Sequence, residues 1–375
     1  MIDVLVAGGG PAGLATAINA ALAGMEAVVV EPRPGPVDKA CGEGLMPTGA
    51  AALADLGVAV PDGRPFRGIR YVDGPHRVQA EFRDGPGLGL GVRRTALHTA
   101  LVHRARDLGV RVVRGRVDAV RAAGEGVRAH VAGGPEQGGS ELSGPDLCGP
   151  ELCGPELCGP EPCGREFGAR WLVAADGLHS PIRALLGLDL PSGGPRRYGL
   201  RRHYRIAPWT DFVEVHWAPG GEAYVTPVGD DLVGVAVLSS ERRTYDEHLA
   251  RFPDLLARLD GPPATPVRGA GPLRQRVRRR VAGRILLVGD AAGYVDALTG
   301  EGISLALLSA RALVGCLMVG RPEEYENAWR RLSWRSRLLT AALVRARRHP
   351  PAARMIVPAA RRLPSVFGAA VRSLA

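Results

Sequence analysis

Three glycine-bearing segments carry residue types and spacings suited to chemistry. The first, Gly8-Gly9-Gly10-Pro11-Ala12-Gly13, is a G-x-G-x-x-G between an apolar run and a helical period. In such a segment Gly8 permits a tight turn, Gly10 lets a pyrophosphate approach the backbone, and Gly13 lets the helix close on a sheet. The helix N-terminus adds free N–H groups and partial positive charge. Glu31 ends the next apolar run, 18 residues beyond Gly13, where a carboxylate can accept hydrogen bonds from a ribose diol. The second segment is Gly283-Arg284-Ile285-Leu286-Leu287-Val288-Gly289-Asp290-Ala291-Ala292-Gly293, followed by Thr299-Gly300-Glu301-Gly302-Ile303 at a helix start. N–H groups there would stabilise negative charge on a bound group. The third is Ala175-Asp176-Gly177-Leu178-His179-Ser180-Pro181-Ile182-Arg183.

Placing these residues takes an α/β fold. Residues 4–8 and 27–31 read as buried strands around a helix over 11–23, a βαβ unit. Residues 94–108 are helical, 110–113 and 171–175 are strands, and 285–288 lead into a helix over 303–318. Residues 66–93 and 196–240 alternate between turn signals such as Asp73-Gly74 and predict antiparallel strands, with a helix over 245–259. The expected organisation is a Rossmann-like dinucleotide-binding domain of the glutathione reductase type, discontinuous over 1–65, 94–190 and 267–320. An inserted antiparallel β-sheet domain for substrate takes 66–93 and 191–266, and C-terminal helices take 321–375.

Composition narrows the partners. The chain has 375 residues and a net charge of +10, and Lys39 is its single lysine. Arginines are spread along the chain without an aromatic-interleaved basic stripe, which speaks against nucleic acid. No run approaches the roughly 20 apolar residues of a membrane span. The first residues read as a strand rather than a leader, which predicts a cytoplasmic protein. Cys148, Cys153, Cys158 and Cys163 sit in a Pro- and Gly-rich pentapeptide repeat. Thiolates at such spacing can bind zinc, but the repeat has no apolar period, and residues 133–166 are expected to be a disordered loop without metal.

The Gly289-Asp290 segment resembles the Gly-Asp motif of FAD-dependent hydroxylases and their relatives. Asp176-Gly177 resembles that superfamily's Asp-Gly motif, and Arg94, in Arg-x-x-Leu-x-x-x-Leu, resembles its flavin-contacting arginine. The superfamily includes aromatic hydroxylases, flavin-dependent halogenases and geranylgeranyl reductases. Lys39-Ala40-Cys41-Gly42-Glu43-Gly44-Leu45 is similar to a Lys-x-Cys-Gly segment of the reductase branch, and Gly293 points the same way. The resemblance implies non-covalent FAD held by Gly8, Gly10, Ala12, Gly13, Glu31, Cys41, Gly42, Gly44, Arg94, Val117, Asp290, Gly302 and Ile303. Asp290 would bind the ribityl hydroxyls, and NAD(P)H or an external reductase would supply electrons. Cys41 is either a small residue beside the flavin or a redox thiol, and Cys316 is a candidate partner for it.

The reaction is less constrained. Glu222-Ala223-Tyr224-Val225-Thr226-Pro227 stands where reductases of that branch carry a Tyr-x-Trp-x-Phe-Pro segment, without its Trp and Phe. No halogenase Trp-x-Trp-x-Ile-Pro occurs. These departures favour a monooxygenase acting with O2 on a hydrophobic, aromatic or polyketide-like molecule. The alternative is reduction of a polyprenyl or other apolar alkene. His203, Tyr204, His216 and Tyr224 are candidate acid–base groups on the substrate sheet, and Cys41 is a further catalytic candidate. From residue 321 arginines interleave with apolar residues, a pattern expected to form a lid over the substrate cavity or to touch a membrane surface.

Overall fold

Runs of Val, Leu and Ala, apolar on both faces, make the parallel strands of the first sheet. The computed structural model describes residues 1–82, 87–133, 164–194 and 196–374. Strands Ile285–Leu287, Arg165–Ala174, Ile2–Ala7, Ala27–Glu31 and Arg111–Arg114 lie side by side in that order, all parallel. Leu5, Val6, Val28, Val29, Leu172 and Val173 are fully buried in it. The N-terminal half of Arg165–Ala174 pairs with the hairpin Arg116–Ala123 and Gly126–Ala132 in antiparallel register. Residues 165 and 166, expected in the repeat loop, therefore begin a strand. The four repeat cysteines lie outside the described residues. Helices Pro11–Leu22, Arg94–Asp107 and Gly302–Met318 pack together over this sheet.

The second sheet has seven strands, in the order Arg268–Ala270, Tyr198–Tyr204, Val233–Ser239, Gly221–Pro227, Phe212–Ala218, Gly68–Asp73 and His76–Glu81. Both inserted stretches contribute, as expected, and the sheet runs on past residue 266. Its strands are antiparallel except where the stretches meet: Gly68–Asp73 and Phe212–Ala218 pair in parallel. The all-antiparallel expectation is corrected at that join. No hairpin turn links these two strands, so no local geometry forces them to run in opposite directions. The expected helix over 245–259 is also corrected, to Tyr245–Leu249 and Pro253–Leu256. Pro253 has no N–H to continue the first helix and opens the second.

The tail forms helices Glu324–Arg347, Pro350–Arg362 and Pro364–Arg372. Val357, Phe367 and Val371 are buried, and the Phe367 ring lies 4.8 Å from that of Tyr71 on the second sheet. The tail thus covers one face of that sheet. Among the described residues, no helix is long and apolar enough to cross a membrane.

Candidate active site

The glycine loop closes as its residue types require. Gly8 has φ +112°, and a Cβ there would lie 2.4 Å from the Ala175 carbonyl oxygen. A Cβ on Gly13 would lie 1.8 Å from the Gly8 carbonyl oxygen. Gly10 is different: a Cβ would meet only Arg94 Nη2 within 4 Å, at 3.7 Å, so the loop opens onto a cation. Arg94 is 7% exposed, yet its Nη1 has no hydrogen-bond partner among the described residues. A buried donor left unused is costly, and an anion beside Gly10 would satisfy it. Burial lowers the Arg94 pKa, opposed by the nearby Cys41 and Asp290.

Around this loop the structure gathers the other expected residues. Glu31 accepts hydrogen bonds from Gly9 N at 2.7 Å and from Arg33 Nε at 2.8 Å. Burial raises its pKa, but Arg33 and Gly9 outweigh that and hold the carboxyl below its usual range. Val117 is buried two residues past Gly115, whose N–H donates to the Glu31 carbonyl at 3.2 Å. A Cβ on Gly289 would lie 2.6 Å from the Ala12 Cβ, so the first and second segments touch. Asp290 stands on the 3-10 turn Gly289–Ala292 and accepts a hydrogen bond from Lys39 Nζ at 3.2 Å. Gly302 opens its helix one residue earlier than the periodicity predicts, and Ile303 is buried behind it. The third segment links the other two. Its Arg183 donates to the Ala291 carbonyl at 3.2 Å and to the Leu178 carbonyl at 3.0 Å, tying Asp-Gly to Gly-Asp.

In the loop over 39–44 the sequence points to Cys41, Gly42 and Gly44, and misses Glu43. Glu43 has φ +59° and is 1% exposed. It accepts a hydrogen bond from Arg94 N at 2.8 Å, capping that helix from a distance, and its Oε2 lies 2.6 Å from His203 Nε2. Arg201, equally buried, binds Asp38 and approaches His203 Nδ1 at 3.0 Å. That geometry fits a His203 that donates from Nε2 and accepts at Nδ1. Thr226 Oγ1 donates to the Gly42 carbonyl at 2.7 Å. Gly44 pairs with Gly91 in a small sheet. The only local signal for Glu43 is an acid between two glycines. The Cys41 thiol is pushed up by burial, a shift that Arg94 opposes, and keeps its proton at neutral pH. Cys41 and Cys316 are both free, so the considered pair is not formed; Cys316 sits beside Glu324.

Period-2 alternation divides the four acid–base candidates. His203 and Tyr224 point to one face of the second sheet, and Tyr204 and His216 to the other. All four are occupied. Tyr224 Oη donates to the Leu298 carbonyl at 2.8 Å, and burial raises its pKa well above the usual phenol value. Tyr204 is hydrogen-bonded to Tyr245. His216 Nε2 lies 3.2 Å from Glu214. Burial would raise the Glu214 pKa, but His216, Trp209 and Arg70 bring it to about 2.

The FAD binding domain model matches residues 1–148 and 159–319. The chain belongs to the FAD-binding oxidoreductase family. Menaquinone reductase of Mycobacterium tuberculosis is 31% identical to it over 333 residues, covering 82% of this chain and 74% of that protein. Digeranylgeranylglycerophospholipid reductase 1 of Methanopyrus kandleri is 30% identical over 87% of this chain and 82% of that one. The crystal structure of p-nitrophenol 4-monooxygenase PnpA from Pseudomonas putida shares the fold, with TM-score 0.74 at 19% identity, over 99% of this chain and 98% of that one. The groove fits FAD: an unused buried guanidinium faces the open side of the glycine loop, and Asp290 stands across from it.

Next to the groove this flavoenzyme has an apolar wall. Tyr71, Trp217 and Tyr224 share one cluster with Leu298, Tyr294 and Val357, joining the second sheet, the segment over 293–302 and the tail. The Tyr71 and Trp217 rings lie 5.2 Å apart. Neighbouring strands thus supply aromatic rings that the Glu222-to-Pro227 segment lacks. On the same sheet face, Glu222 is fully buried between Arg197 at 2.8 Å and Arg347 at 2.6 Å, which fastens the tail helix to the sheet.

Glu301 borders a cavity of about 30 Å³ together with Tyr294, Asp296, Trp329 and Ser336, among others. Burial pushes its carboxyl up to about 7, against hydrogen bonds from Ser336 and Thr299. Between its ordinary pKa of 4.5 and about 7 the folded state holds a proton that the unfolded state has released. Stability of the flavin-free protein should therefore fall as pH rises through that window, by on the order of 3 kcal/mol, and level off above it. Glu301→Gln should flatten this dependence in denaturant titrations at several pH values. An unchanged slope would show that Glu301 ionises freely.

Proposed function

We propose that this flavoenzyme saturates a carbon–carbon double bond in a polyprenyl or similarly apolar substrate. The observation that carries the reading is the aromatic wall, on a sheet face whose candidate acid–base groups are already engaged, His203 with Glu43 and Tyr224 with the Leu298 carbonyl. Oxygenation of a phenol is helped by a free base near the substrate, whereas an alkene needs a dry, shaped surface. The two relatives at 30–31% identity bear reductase names, while the monooxygenase neighbour shares only the fold.

FAD, when bound and reduced, would supply a hydride equivalent to one carbon of the double bond, and a proton drawn ultimately from water would complete the other. Gly8, Gly10, Ala12, Gly13 and Arg94 would take its pyrophosphate, and Glu31 and Val117 its adenosine end. Asp290 would take the ribityl chain, with Gly302, Ile303, Cys41, Gly42 and Gly44 along the ring. Tyr71, Trp217 and Leu298 exclude water, and the Arg347–Glu222 contact holds the tail over them. NAD(P)H bound transiently, or a separate reductase, supplies the electrons.

The test is a two-step anaerobic experiment. The enzyme is reduced with one equivalent of dithionite, and a polyprenyl alcohol, whose double bonds are its only reducible groups, is then added without oxygen. The yellow flavin absorbance should return as substrate is consumed. Return only when oxygen is admitted, with a hydroxylated product, would establish the monooxygenase instead.

A further inference from the structure

The charge of this protein is concentrated at one end. Residues 321–375 hold twelve arginines and three glutamates, a net +9 out of +10 for the chain, and no acid follows Glu326. On the helix Glu324–Arg347, Trp334 and Leu338 are 54% and 62% exposed. They share one face with Arg331, Arg335 and Arg345, at helical spacings of three, four and seven residues. Folding has not covered this face. The opposite face carries Trp329, Ser336, Arg337 and Thr340, which border the Glu301 cavity. Met355 and Val366 on the two following helices, and Leu363 between them, are exposed as well, among further arginines.

A solvated surface needs no exposed tryptophan, and a protein partner of ordinary composition would not select for a stretch devoid of acids. Arginine interleaved with Trp and Leu suits an interface that is anionic at its surface and apolar a few ångströms below. We propose that the exposed face of Glu324–Arg347 docks this enzyme on an anionic lipid bilayer. The same helix then stands between the bilayer and the cavity. The inference does not depend on which reaction the flavin performs.

Full-length enzyme loaded with FAD is sedimented with vesicles of phosphatidylglycerol and phosphatidylcholine, or of phosphatidylcholine alone. Binding is expected to the mixed vesicles and not to the neutral ones, and to weaken at about 0.5 M salt, where charges are screened over a few ångströms. The pair Trp334→Ser and Leu338→Ser should lower partitioning at least tenfold, or about 1.4 kcal/mol, with bound flavin and melting temperature unchanged. Several results would overturn the proposal: no sedimentation with mixed vesicles at low salt, equal binding to neutral vesicles, or an unaffected double variant. So would light scattering showing that this face instead joins two copies of the chain, or nucleic acid displacing the protein from vesicles to which the double variant binds normally.

Discussion

Replacing Arg94 by methionine is expected to raise the dissociation constant for FAD about a hundredfold, or roughly 2.7 kcal/mol. Arg94 Nη1 is buried without a partner, and its Nη2 faces the open side of Gly10. A pyrophosphate there would form charge-assisted hydrogen bonds with groups already stripped of water, so little further desolvation opposes binding. The flavin-free variant should melt no lower than the wild type, because the protein alone leaves that donor unsatisfied. Lysine at position 94 should recover part of the affinity as a point charge without the planar fork. Flavin fluorescence titration of the apoproteins measures the two affinities, and a thermal melt of the flavin-free methionine variant measures the stability. A methionine variant within threefold of wild type would remove Arg94 from the phosphate site.

The second large effect is on folding. Glu43→Ala should cost about 3–5 kcal/mol, since it removes the carboxylate facing the buried His203 Nε2 and one of the two carboxylates at the buried Arg201, and uncaps the Arg94 helix. Glycine at position 43 should be less damaging than alanine by about 1 kcal/mol, because φ +59° is left-handed. Glutamine, which keeps an acceptor, should be the mildest. Chemical denaturation of the three variants gives the order Gln, Gly, Ala by increasing loss. Equal losses for Gly and Ala would mean that the backbone at Glu43 relaxes freely.

The cofactor groove was legible because its parts are local. Gly8, Gly10 and Gly13 are spaced by the geometry of one turn and one helix start, and Glu31 by the length of one βαβ unit. Asp290 was readable for the same reason. Glu43, Arg201 and Asp38 were not, because their contacts span about 160 residues of sequence and only the fold supplies the partner. The four acid–base candidates fared similarly. Alternation along each strand was visible, but which face meets the flavin segment depends on the parallel pairing of Gly68–Asp73 with Phe212–Ala218. Tyr71, opposite Val215 in that register, could not be placed beside Trp217 and Tyr224 from its own surroundings. In the tail, the interleaving of Arg with Leu and Val marked amphipathic helices. It did not say that Phe367 and Val371 would bury themselves against the second sheet while Trp334 and Leu338 stayed outside.

Under the proposed alkene saturation, the double bond gains two hydrogens and no oxygen. That outcome is tested most directly by product mass from turnover under heavy-isotope-labelled dioxygen and, in parallel, in its complete absence. The same product is expected in both, heavier than substrate by two hydrogen atoms and free of label. A labelled product, formed only when dioxygen is present, would contradict it.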